Sequence, residues 1–111
     1  MDVLVKRDRV SMTSHPTYQD PGLTAMLGKC FESGDKRFLA VYWDATGPGR
    51  LLEEPQIDEL ICIIEGRALV EWHGEKAAAG PGDVILWLVI DPPVVVVEQN
   101  LFAFCVTYNP A

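Results

Sequence analysis

At 111 residues the chain suits one domain, large enough to take roughly 65% of its unfolded surface out of water, and leaves no room for a second. Apolar residues make up 49% of it, yet no run approaches the ~18 residues of a membrane span, so a globular chain is expected. Sixteen acidic residues against nine basic ones, a net charge of −7, oppose nucleic acid and acidic membrane surfaces as partners.

The N-terminal MDVLVKRDRV places Lys6, Arg7 and Arg9 after its few apolar residues, the reverse of a secretory leader, and a cytoplasmic protein is expected. Residues 1–22, with Pro16 and Pro21, read as an N-terminal arm ahead of a β domain at residues 23–111. The stretch DPGLTAMLGKC is too interrupted by Gly22 and Gly28 for a helix of three turns. From there turn signals recur: SGDK, ATGPG, EGR, HGEK, GPGD, DPP and EQN. The intervening KRFLAVYW, DELICII, ALVEW, DVILWLV, VVVV and LFAFCVTY are strand-length and rich in β-branched and aromatic residues. Cys30, Cys62 and Cys105 each sit in such a run without a CxxC spacing, which predicts reduced, inert thiols rather than disulfides or a metal site.

Several strands are apolar on both faces. In LICII, Ile61 and Ile63 point one way while Leu60, Cys62 and Ile64 point the other, so such strands need two covers, a barrel core and a partner. A homodimer is therefore expected.

One spacing is more specific. Starting at Gly47 the chain reads Gly47, five residues, Glu53, one residue, Pro55, three residues, Glu59, six residues, Gly66, and after fifteen more comes Gly82. This resembles the first motif of the cupins, in which the positions of Glu53 and Pro55 are histidines and that of Glu59 is a metal-binding glutamate. The second motif decays: Leu88, Ile90, Pro93 and Val97 replace its proline, glycine, last ligand histidine and asparagine. Asp58-Glu59, ICIIEG, GPGDV and FCVTYNPA are most similar to short cupins of the ethanolamine-utilisation type. The resemblance spans residues 36–111 and implies an all-β, single-domain jelly-roll barrel of two antiparallel sheets with little helix, a dimer, and a pocket inside the bowl. It carries no reaction across, because the fold serves many chemistries.

Period-two alternation puts Glu59 on the face of Ile57, Ile61 and Ile63, which the motif's register turns into the bowl, and sends Asp58 outward. A carboxylate there must be hydrated, paired with Arg50, Lys29 or Arg37, or protonated; a proton-transfer role and a structural ion pair both stay open. The expected catalytic set is Glu59 with Glu53 and Tyr42, and the ligand-binding set is Trp87, Trp43, Arg50 and Glu54. With the imidazoles gone, no metal and no cofactor are expected, His73 being read as a solvated turn residue and His15 as an exposed loop residue. The expected activity is small-molecule binding, with an isomerase, cyclase or lyase-type step through a pocket carboxylate. Two rivals stand beside it: a binding or assembly module without chemistry, and a carboxylate metal site built from Glu53, Glu54, Glu59 and His15.

Overall fold

The computed structural model describes residues 3–14, 22–51 and 57–109. Apart from one short 3-10 turn at Arg7–Arg9, every regular element is a strand: β1 (Thr13–Ser14), β2 (Thr24–Glu32), β3 (Phe38–Thr46), β4 (Gly49–Arg50), β5 (Asp58–Trp72), β6 (Glu75–Ala79), β7 (Val84–Trp87) and β8 (Val94–Tyr108). All pairings are antiparallel. The expected all-β jelly roll is what forms.

Two long strands make the barrel. The C-terminal half of β8 pairs with β3 and with the N-terminal half of β5, giving a large limb in the order β1-β2-β3-β8-β5-β7. The other halves of β8 and β5 pair with each other and with β4 and β6, giving a small limb. Here the structure departs from the sequence reading: EGR and EQN are corners inside continuous strands, not turns between separate ones. β5 shifts register between Ile63 and Glu65 and again between Gly66 and Ala68, and such bulges bend a strand so that it can serve both sheets. Gly66 is required at this corner, since its φ is +84° and a Cβ would drive into the carbonyl oxygen of Asn100.

Four strands escaped the sequence reading, among them the two-residue β4 beside the ATGPG turn. β2 is a strand despite its glycine because Ala25 and Leu27 extend the inner face beside Ala45 and Trp43, while Gly28 faces the arm. A Cβ at Gly28 would lie 2.5 Å from Val10 and 2.6 Å from the Met12 sulfur, so the arm packs directly over it. The alanine-rich β6 has poor strand propensity and is held by its hairpin: His73 and Gly74 both have positive φ, 51° and 81°, the two-residue turn that matches strand twist. β1 comes from the segment read as an arm and edges the large limb through Thr13 and Ser14.

The core lies between the limbs. Val41, Trp43, Ala45, Ile61, Ile63, Leu101, Ala103 and Cys105 from the large limb meet Ala68, Val95 and Val97 from the small one, all buried. Between the register shifts, inward positions alternate with outward ones, as period-two side chains demand.

Candidate functional site

At the open end of the large limb one rung of the ladder crosses five strands. Glu32 pairs with Leu39, Leu39 with Thr107, Thr107 with Glu59, and Glu59 with Trp87. Register partners share a face, and the next rung inward is Val41, Cys105, Ile61 and Ile85, all buried. Glu59 therefore stands on the inner face at the bowl's mouth, partly exposed, above an apolar floor.

Cys105 is the part of this site that the sequence reading set aside as inert. Its side chain is 1% exposed, one rung below Glu59 on the adjoining strand. Burial first, then the charge and hydrogen bond of Glu59, push the Cys105 thiol well above its ordinary value. The protonated thiol is favoured accordingly. The signal was present in the alternation of FCVTY, which puts Cys105 and Thr107 on one face, but the register that brings that face beside Glu59 is a long-range pairing. Thr107 donates its hydroxyl to the Leu39 carbonyl at 3.5 Å.

The remaining candidates divide by face. Trp43 and Trp87 point inward and are 8% and 5% exposed. The structure corrects the grouping of Tyr42 with Glu59: Tyr42 lies on the outer face, stacked on Phe102 at 5.6 Å and tilted against Phe104 at 5.6 Å. There it lines an open groove of about 340 Å³ with Arg7, Asp8, Met12 and Phe102. Neighbouring residues of one strand cannot both enter the bowl, so choosing Trp43 excludes Tyr42. Arg50 is exposed in β4 opposite Val96, and Lys29, another expected partner for Glu59, contacts Glu32 at 3.4 Å. Asp58 accepts the Val89 backbone N–H at 2.9 Å, which ties the strand start to the loop after β7. Glu53, Glu54 and His15 lie outside the described residues. His73 sits exposed at its hairpin turn, 2.6 Å from the Asp91 carboxylate.

Among the described residues no three His, Cys, Asp or Glu side chains converge on a common point; Glu53, Glu54 and His15, which the carboxylate-metal reading needs beside Glu59, lie outside those residues.

No protein-family model matches the chain, and no curated protein matches it. Solved structures do. A Salmonella typhimurium LT2 protein assigned as ethanolamine utilization protein Q superposes with a TM-score of 0.67 at 16% identity, covering 93% of this chain and 98% of that one. A cupin-2 domain, Rru_A2000 from Rhodospirillum rubrum, gives 0.67 at 14% identity over 95% of this chain and 73% of its own. Ectoine synthase from P. lautus gives 0.72 at 15% identity over 98% and 79%. The fold is thus that of the cupins. Its architecture is shared with the ethanolamine-utilisation type, the likeness the turn glycines suggested.

Proposed function

We propose that the chain is a small-molecule-binding cupin in which Glu59 moves protons, without a metal, in an isomerase, cyclase or lyase-type step. The observation that supports this reading is the Glu59 carboxylate on the inner face of the large limb, one rung above the buried Ile61 and Cys105. A carboxylate set among Ile, Trp and Cys side chains is a general base in a poorly hydrated place. That a similar structure is an enzyme, ectoine synthase, supports a catalytic use of this bowl.

The working unit we propose is a cytoplasmic homodimer. On the outer face of the large limb Phe38, Leu60, Val84, Leu86 and Tyr108 are 42–57% exposed. The face is roughly 24 Å wide and 26 Å long from strand spacing and rise, on the scale of the ~800 Å² that each partner of a stable complex buries. Free thiols at Cys30, Cys62 and Cys105 suit a reducing compartment.

The test is a screen of compact organic molecules by ligand-observed NMR, followed by turnover of each binder. Glu59→Gln is expected to cut turnover by about 100-fold or more while the protein keeps its melting temperature and its ligand. Unchanged turnover removes Glu59 from the chemistry. Saturable binding with no conversion of any binder supports the second reading, a non-catalytic module, which the apolar inner wall favours.

A further inference from the structure

The N-terminal arm crosses the outer face of the large limb and is fixed at both ends. Its 3-10 turn closes through the Arg9 N–H to the Lys6 carbonyl at 3.0 Å and the Val10 N–H to the Arg7 carbonyl at 3.3 Å. The Arg7 guanidinium carbon stands 3.9 Å from the centre of the Phe102 ring, which pins this end to β8. Beyond the turn, Val10 and Met12 take the space that Gly28 leaves free, and Thr13 and Ser14 join the sheet opposite Leu27 and Met26. Between the pinned arm and the strands lies the groove of about 340 Å³ lined by Arg7, Asp8, Met12, Tyr42 and Phe102. Tyr42, which the sequence placed in the bowl, faces this groove instead, its ring stacked 5.6 Å from that of Phe102.

The lining combines one cation, one anion and an apolar remainder. Arg7 gives Glu65 Oε1 only long bonds, 3.5 Å from Nη1 and 3.4 Å from Nη2, in a pair half exposed or more on both sides. Such a pair holds little energy, and a guanidinium has five N–H donors to offer. Asp8, next in the same turn, makes no hydrogen bond or ion pair among the described residues, and the Tyr42 hydroxyl makes no hydrogen bond among them. A simple cation entering the groove is opposed by Arg7, and a simple anion by Asp8 and Glu65. A molecule carrying both charges close together, on an apolar body, is opposed by neither.

We infer that this groove is a binding site for a free α-amino acid with an aromatic side chain. The carboxylate meets the Arg7 fork, a planar match that strengthens beside an apolar wall. The ammonium meets Asp8. Because Arg7 covers Phe102, the ligand's ring packs against Tyr42 and the Met12 thioether, both favourable neighbours for an aromatic ring. The site lies on the face opposite Glu59 and does not rest on proton transfer in the bowl.

The test uses the full chain labelled with 13C at its methionine methyl groups. The sequence holds three methionines, Met1, Met12 and Met26, and Met→Leu variants assign their signals. L-Phenylalanine is expected to move the Met12 signal upfield saturably, by the ring current of the bound side chain. It should bind about 10-fold more tightly than 3-phenylpropionate, which lacks the ammonium, and than 2-phenylethylamine, which lacks the carboxylate. Arg7→Gln should remove the advantage over the amine, and Asp8→Asn the advantage over the acid. L-Leucine should bind more weakly than L-phenylalanine. An unmoved Met12 signal up to the solubility limit overturns the site. Equal binding of the three phenyl probes, or their equal weakening in Arg7→Gln, overturns the reading of both charges, and equal binding of leucine overturns the aromatic class. The probe comparison uses unaltered protein, so it decides the matter even if a variant loosens the arm.

Discussion

The two faces of the large limb are cut from the same strands, yet they have opposite fates. On β5, Ile61 and Ile63 are 2% and 3% exposed while Leu60 is 42% exposed. On β3, Trp43 enters the core while Tyr42 stacks outside among Phe102 and Phe104. Both faces are apolar, so composition does not distinguish them. Cover does. The inner face is closed by the small limb, whereas among the described residues the outer is closed at one end, by the arm that lays Val10 and Met12 over Gly28 and Arg7 over Phe102 at 3.9 Å. The Arg7 to Glu65 pair beside it, at 3.4 Å and half exposed or more on both sides, contributes little. The lesson is that an apolar strand face predicts a contact without saying with what.

The largest expected effect exposes this difference directly. Ile61→Ala empties a position touched on all sides and should cost about 2–5 kcal/mol in urea unfolding, whereas Leu86→Ala, on the outer face at 57% exposure, should cost under about 1 kcal/mol in the monomer. Equal losses would mean that the outer face is as tightly packed as the core.

Next comes the partner. Leu60→Asp places a charge in the middle of the proposed interface, between β8 and β7, and light scattering is expected to show the dimer falling to a monomer with its fold and strand circular dichroism intact. A single leucine in a desolvated interface centre carries on the order of 2 kcal/mol in such a test, a roughly 30-fold rise in the dissociation constant. A wild-type monomer at tens of micromolar would leave the outer face to some other use.

How much of this was legible follows the same division. Alternation assigned Glu59, Ile61 and Ile63 to one face and Leu60 and Cys62 to the other, because a side-chain period of two is local. The spacing of Gly47, Gly66 and Gly82 carried the barrel, and the corner at Gly66 shows why, since its positive φ and its approach to Asn100 exclude any Cβ. What stayed hidden was whatever depends on pairing distant segments. EGR and EQN look like turns until β5 and β8 are seen to bend together. Tyr42 was grouped with Glu59 because both lie in aromatic or acidic strands near the motif, although alternation from the inward Trp43 already placed it outside. Cys105 and Trp87 become neighbours of Glu59 only through two separate ladders, which no local pattern encodes.

The smallest effect is electrostatic and belongs to the inner face. Cys105 is held well above the ordinary thiol value of 9.0 by burial and then by Glu59, so its folded form resists losing a proton that the unfolded chain gives up near that value. A raised pKa stabilises the fold fully below the unfolded value and withdraws that contribution as pH rises past it. Unfolding free energy should therefore decline above about pH 9, and Cys105→Ala should flatten the decline relative to wild type, read as the difference between two urea midpoints across pH 8 to 10. If Cys105→Ala declines as steeply as wild type, the Cys105 thiol does not carry the pH dependence that its burial beside Ile61 implies.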